Sequence, residues 1–394
     1  VINGYCSRDG NFLSNFFWAQ PALNFGYDNP DPSKPWELPT NHPSVMELRE
    51  EMKNFLRFWL NMGVDGFHMD MAYSLVKRDK SNKVGEIWKD VRKMLDKDYP
   101  EAFIIPEWCL PANSIPSGFH SDFLHWKPEY WTLWQAEPWR CLNGFYKGFS
   151  YFDQEGKGNI VPFMNLYWEQ FSKTRDKGYI SLIVSNLNLA RTNINRSQKD
   201  LEIIFTFALT MPGVPFIWYG EEIGMRQLYN IPAVEGAYTP RSGSRNPMQW
   251  DGSRNHGFST APAGSLYLPT DTASDAPNVA AQDADPHSLL NFFRKINKLR
   301  ETEKSLLNYA DLNILYAEPN AYPLIYARSY ENEVILVILN PSKYEQTAVF
   351  PSNLNLNKKL LLAGDKQTII QSKNNIITVK TLPTSYSVYK LSKK

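Results

Sequence analysis

An α/β barrel followed by an antiparallel β-sandwich is the fold class this sequence predicts, and three patterns predict it. Between residues 43 and 307, strand-like runs alternate with amphipathic helical stretches, the signature of a parallel sheet. Five of those runs place polar residues at their C-terminal ends, where barrel enzymes keep their chemistry. From residue 308 to 394, short period-2 runs punctuated by Asn, Pro and Gly read as a small sandwich. Residues 1–42, rich in Asn, Pro and Gly, read as irregular loop. A chain of 394 residues also exceeds the ~250–300 at which single cores stop growing, so more than one domain is expected.

The elements follow in order. Val45, Leu48, Met52, Phe55, Leu56, Trp59 and Leu60 recur at helical spacing from Pro43 to Met62, and Gly63 closes that helix before a strand beginning at 64. A helix near 84–95 leads to a strand at 102–108, with a short strand near 122–126. A helix near 162–175, a strand at 179–185, a helix at 200–210 and a strand at 214–219 continue the alternation. A last helix spans 288–307. In the sandwich, strands are expected at 322–327, 333–339, 359–362, 376–380 and 385–391.

Composition narrows the function. Lys and Arg number 42 against 41 Asp and Glu, which leaves no electrostatic footprint for nucleic acid or an anionic membrane. No run of ~18 apolar residues is present to span a bilayer. Aromatic residues make up 14% of the chain, with 12 Trp and 21 Tyr, and sugar rings stack on such side chains. Trp108, Trp126, Tyr130, Trp131, Trp134 and Trp139 form a dense group in which some are expected to stack on sugars and the rest to fill core. Cys6, Cys109 and Cys141 show neither a metal spacing nor a disulfide framework. His125 and His256 have no partners at metal-ligand spacing, so no metal site is expected. No cofactor is called for; calcium is compatible with the sequence but not indicated by it. The chain carries no initiator Met and no basic-then-apolar leader, which leaves location open with the cytoplasm favoured.

The chemistry concentrates at two strand ends. Gly63-Val-Asp-Gly-Phe-His-Met-Asp70 delivers Asp70, and Ala102-Phe-Ile-Ile-Pro-Glu-Trp108 delivers Glu107. Retaining glycoside hydrolysis needs a carboxylate nucleophile and a carboxylic acid about 5–5.5 Å apart. Neighbouring strands, about 4.8 Å apart, supply such a pair. Asp70 suits the nucleophile and Glu107, between Pro106 and Trp108, the proton donor. Strand-end position alone leaves a capping or ion-pairing role open for either acid. Glu221 and Glu222, after the strand at 214–219, are expected to pair with an arginine or cap a turn, and Asp122 to cap.

Several ordered motifs carry a resemblance. Gly66-Phe67-His68-Met69-Asp70 resembles the nucleophile strand of the α-amylase superfamily, glycoside hydrolase family 13, and Glu107-Trp108 its acid/base strand. Gln20-Pro21-Ala22-Leu23-Asn24 is similar to the end of that family's loop domain. Asn186-Leu187-Asn188-Leu189-Ala190-Arg191 resembles its Asn-His-Asp strand end, and Met211 to Pro215 with Gly220-Glu221-Glu222 its eighth strand. Arg245 to Asp251 and Gly257-Phe258-Ser259 resemble a long-loop signature of oligo-1,6-glucosidases and trehalose synthases.

The resemblance implies a (β/α)8 TIM barrel of which strands four to eight occupy 43–307, with 1–42 the remnant of the loop domain inserted after strand three and 308–394 the sandwich. Strands one to three would then lie upstream of Val1, and a fragment of a longer gene product is the expectation. It also implies an oligosaccharide or disaccharide substrate, catalysis by Asp70 and Glu107 with Asn188 at the third catalytic position, and a pocket lined by His68, Asn186, Arg191 and Trp108. Four positions depart from the pattern: His68 replaces an Arg, Asn188 an Asp, Leu187 a His and Ala22 an Asp. Loss of one charged group near the reacting centre costs about 10²–10³ in rate, so turnover is expected to be impaired. The alternatives are a non-catalytic relative that binds carbohydrate or a protein partner, and a transglycosidase or trehalose synthase-like isomerase. The sequence is silent on oligomeric state.

Overall fold

In a computed structural model the described residues are 2–3, 11–13, 20–134, 149–231, 233–234, 241–364 and 368–391. They form two compact units, residues 1–123 with 176–178, and residues 124–175 with 179–394. That division falls inside the expected 43–307 segment.

The first unit is a helix, strand, helix, strand succession. Helix α1 (Pro43–Asn61) leads to strand β1 (Gly66–Met69), and helix α2 (Lys83–Asp98) to strand β2 (Phe103–Pro106). β1 and β2 pair in parallel with Gly66 opposite Phe103 and Met69 opposite Pro106. Gly66 sits so close to its neighbour that a Cβ would lie 2.0 Å from the Phe103 carbonyl oxygen. Only glycine fits there. α2 supplies the largest share of the core, with Val84, Ile87, Trp88, Val91 and Leu95 packed on Ala72, Ile104 and Phe119. The Trp88 indole N–H donates to Ala72 O at 2.9 Å, which satisfies its one polar atom. A third short strand, β3 (Ser121–Phe123), is held to β2 through His120, whose N–H donates to Ile104 O and whose Nδ1 accepts from Ile104 N.

The apolar stripe of α1 is broader than its buried face. Val45 and Leu56 are buried and Leu48, Met52 and Leu60 pack on the core, but Phe55 and Trp59, expected inside with them, are exposed together with Phe58 and Met62. The stripe covers more than one face of the helix, and α2 with the two strands occupies only one of them.

The second unit begins with helix α3 (Val161–Thr174), strand β4 (Tyr179–Ile183), helix α4 (Gln198–Thr210) and strand β5 (Val214–Phe216). β4 and β5 pair in parallel from Ser181 opposite Val214. Here too a glycine opens the strand: Gly213, at φ +92°, lies so near Ile180 O that a Cβ would stand 1.9 Å away. Ser197 and Asp200 close a reciprocal capping box at the start of α4. Helix α5 (Leu289–Thr302) ends five residues before the expected 307 and passes into a single 3₁₀ turn.

Among the described residues the sandwich holds eight strands: β6 (Asp311–Tyr316), β7 (Leu324–Tyr330), β8 (Glu333–Asn340), β9 (Gln346–Pro351), β10 (Lys358–Ala363), β11 (Ile369–Lys373), β12 (Ile376–Thr381) and β13 (Ser385–Leu391). They make a five-stranded sheet of order β10-β13-β8-β7-β6 and a three-stranded sheet of order β9-β12-β11, all antiparallel. Ile325, Leu336, Ile338, Phe350, Ile377 and Val379 fill the space between them. The unbroken apolar run of β8 has a cause: its opposite face lies against α4, where Tyr326 of the adjoining strand meets Phe207 edge-on and bonds Thr210. β6, β9 and β11 were not expected. β11 is largely exposed, so its sequence lacks the apolar alternation that marks a half-buried strand.

Gly66→Ala should destabilise the first unit by at least about 2 kcal/mol, because the methyl meets backbone that cannot yield without moving the register. Urea denaturation followed through Trp88 fluorescence checks this, with Gly63→Ala, which meets nothing within 4 Å but carries positive φ, as the comparison.

Candidate active site

The parallel register brings the two acids together. Asp70 follows Met69 and Glu107 follows Pro106, the last register pair, and the Glu107 N–H donates to Met69 O at 2.8 Å. The side-chain ligand atoms of His68, Asp70 and Glu107 all lie within 4.8 Å of one another, His68 and Asp70 exposed and Glu107 half-buried. Both acids sit just ahead of a sharp backbone change: Met71 has φ +47° and Cys109 φ +58°, conformations that non-glycine residues seldom adopt. Each turn stops its strand and leaves the preceding carboxyl at the rim.

His68 shares a face with Asp70, two residues on along the strand. Its ring lies tilted against Phe123 with centroids 6.1 Å apart. The protein behind the ring desolvates it and pulls its pKa below the ordinary imidazole value, against the opposing charge of Asp70. Tyr73 faces the same cluster: burial first, then Glu107, Cys109 and Asp70, push its phenol up. Trp108, expected against substrate, is half-buried and packs on the core edge-on to Phe119, with centroids 6.4 Å apart.

Asp122 holds the loop after Glu107, the capping role expected of it. Its fully buried carboxylate accepts from Cys109 N at 3.1 Å and Phe123 N at 2.8 Å through Oδ1, and from Leu110 N at 2.9 Å and Ser114 Oγ at 2.7 Å through Oδ2. Burial nonetheless pushes it up to about 6.

The remaining expected site residues belong to the second unit. Asn186 turns its own side chain inward: Oδ1 accepts from Asn188 N at 2.7 Å and Leu189 N at 2.9 Å, so this oxygen shapes the turn. Asn188 Oδ1 accepts from Arg245 Nη2 at 3.3 Å, and Arg245 Nε donates to Leu187 O at 2.9 Å. Arg191, expected to line the pocket, is instead fully buried. Its guanidinium pairs with Glu221 at 3.5 Å and donates to Tyr219 O at 2.8 Å, over whose ring it also lies, and to Asn246 Oδ1 at 3.3 Å. Glu221 in turn accepts from Ser185 Oγ at 2.7 Å and from Thr192. Burial raises the Glu221 carboxyl while Arg191 opposes the shift. Glu221 thus has the arginine partner expected of it. Its neighbour Glu222 lines a cavity of about 570 Å³ with Tyr219, Arg245, Trp250, Phe258 and Arg294.

Of the aromatic group, Tyr130, Trp131 and Trp134 are core, Trp126 is half-buried and Trp139 lies outside the described residues. Arg245 entered the sequence reading only as part of a motif; its hydrogen bond to Asn188 has no signal in local sequence because 57 positions separate them.

Paired parallel strands with acids at a C-terminal rim, together with an antiparallel sandwich, define an α/β architecture with a carboxylate-bearing rim. Comparison with known proteins shows what the chain is similar to. A model of the α-amylase catalytic domain matches residues 158–309. The trehalose synthase of Thermus thermophilus is 27% identical over 380 residues, 86% of this chain and 36% of its own length. The oligo-1,6-glucosidase of Parageobacillus thermoglucosidasius is 25% identical over 442 residues, 96% of this chain and 71% of the relative. A solved isomaltulose synthase mutant from Erwinia rhapontici NX5 superposes with a TM-score of 0.71 at 20% identity, over 90% of this chain and 69% of that one. The chain is thus similar to members of the α-amylase family, glycoside hydrolase family 13, and spans little more than a third of the trehalose synthase's length.

Asp122 gives the first unit a pH signature. With its native pKa raised from 3.8 to about 6, the folded state holds a proton that the unfolded chain releases. Stability should therefore fall by about 3 kcal/mol as pH climbs from about 4 through about 6, then level off. Denaturation midpoints across that window check it, and Asp122→Asn should start less stable and lose the slope.

Proposed function

We propose that the chain acts on α-linked glucosides by a retaining mechanism with Asp70 as nucleophile and Glu107 as acid/base. The separation within 4.8 Å carries this reading: it suits direct attack and leaves no room for the water that inverting enzymes place between carboxyl groups about 6.5–9.5 Å apart. Asp70 attacks the anomeric carbon as the Glu107 proton passes to the departing oxygen. Glu107 then takes a proton from the acceptor that opens the glycosyl ester. Water as acceptor gives hydrolysis; a sugar hydroxyl gives transglycosylation or isomerisation. The family relatives named above, a trehalose synthase and an oligo-1,6-glucosidase, support a disaccharide or short oligosaccharide as substrate. β1 to β5 are read as strands four to eight of a (β/α)8 barrel, on the motif order and the likeness of fold.

Asn188 stands where the family carries a third carboxylate, and His68 where it carries an arginine. An amide can hydrogen-bond a sugar hydroxyl but brings no charge to an oxocarbenium-like centre, and an imidazole without a proton does not hold Asp70 as a fixed cation would. These departures favour a second reading, a family module that binds sugar without turning it over.

A 5-fluoroglycosyl fluoride separates the two. The enzyme reading expects a covalent adduct on the Asp70 peptide by mass spectrometry, absent in Asp70→Asn but still formed in Glu107→Gln, where fluoride departs without a proton and release of the adduct slows at least about 10²-fold for want of the base. Sugar binding by calorimetry with no adduct would leave the binding module standing. The departures make their own forecast: His68→Arg combined with Asn188→Asp should raise turnover of maltose or isomaltose by about 10²-fold or more, and an unchanged rate would remove the electrostatic account.

A further inference from the structure

The cluster that ends β1 and β2 has a donor set suited to a second chemistry. An imidazole two residues from a carboxylate projects from the same strand face, and the parallel register adds a second carboxylate from the next strand, so one nitrogen and two oxygen donors converge within 4.8 Å. Three such protein ligands with an open fourth position make a common binding pattern for zinc and its first-row neighbours. We propose that His68, Asp70 and Glu107 form a binding site for a divalent transition-metal ion of the zinc class, and that occupancy withholds both carboxylates from glycoside chemistry. The binding half of the proposal stands on the cluster alone; the inhibitory half rests on the roles proposed for Asp70 and Glu107.

Three observations favour it. The residue at 68 decides the matter chemically, because a guanidinium there would repel a cation and offers no lone pair, whereas an imidazole nitrogen is a ligand. His68 and Asp70 are exposed, so an ion reaches the cluster from solvent without opening the fold. Ligands about 2.0–2.2 Å from zinc in a tetrahedron lie about 3.4 Å from each other, a contraction of at most about 1.4 Å that side-chain rotation supplies.

The test uses the full chain, stripped with chelator and titrated with zinc sulfate by calorimetry near neutral pH, with cobalt(II) absorption as a second readout. One equivalent of zinc should bind at micromolar or tighter concentration, and cobalt should give a tetrahedral-type visible spectrum. His68→Ala and His68→Arg should each weaken binding at least about 10-fold and abolish the spectrum, while circular dichroism and denaturation midpoints stay with the parent, since His68 is exposed. No binding up to about 100 µM, or binding that survives both His68 variants, overturns the proposal. Glycosyl trapping repeated with and without zinc reads the second half. An adduct formed in chelator and suppressed by zinc supports it, and an adduct indifferent to saturating zinc overturns it. If no adduct forms in chelator while zinc binds as expected, the catalytic reading fails and the metal site stands.

Discussion

The contact between Gly66 and the Phe103 carbonyl sets everything else at the rim. It allows β1 and β2 to approach with Met69 opposite Pro106, and the next residue on each strand is an acid. The Glu107 N–H bonded to Met69 O extends the ladder one step further, so the two carboxyls are neighbours through backbone geometry rather than through any attraction of their own. Like charges do not choose such proximity. It is imposed by the sheet, and the left-handed turns at Met71 and Cys109, with the four donors on Asp122, keep the chain from relaxing it.

The charge balance at this rim turns on residue 68. The imidazole beside Asp70 has its pKa lowered by burial, so it offsets the acids less than a fixed cation would. Such a site attracts cations, whether a developing oxocarbenium or a metal ion, and lacks the guanidinium that would hold Asp70 in one orientation. In the second unit an amide at 188 accepts from Arg245, a neutral partner for that cation. The cation at 191 is spent elsewhere. Buried with Glu221 and the carbonyl of Tyr219, it fixes the backbone on both sides of itself, and removing either partner would strand a charge in the interior.

Both acids were legible because strand-end position and motif agree on them, and the apolar run of β8 was legible because both its faces are covered. The rest depends on where the fold sends each residue. The stripe on α1 reads as one buried face, yet Phe55 and Trp59 point to solvent, since periodicity records apolarity and not which neighbour exists to cover it. Arg191 matches a motif position but lies in the core, and nothing local distinguishes a buried arginine from a lining one when its acid is 30 residues away. The His68, Asp70 and Glu107 cluster was invisible to a search for metal spacing, because the third donor arrives from another strand.

The second unit has an equivalent of the Gly66 constraint, built from cations without acids. Arg300 of α5 donates to Leu209 O and Met211 O at 2.7 and 3.0 Å and also reaches Gly213 O. Arg328 of β7 donates to Thr210 O, Leu307 O, Ala310 O and Asp311 O. Between them they satisfy the last two carbonyls of α4, Leu209 and Thr210, where the helix dipole favours positive charge. Gly213 follows at once and starts β5 against Ile180, so the capping of α4 decides where β5 begins. β5 in turn leads to Gly220 and Glu221, the partner of Arg191. One helix end, a glycine and an ion pair therefore form a single line of dependence, and the sandwich enters it through Arg328. That coupling gives the C-terminal sandwich a physical task within its unit: it supplies a buried cation to the helix that sets the position of the last parallel strand.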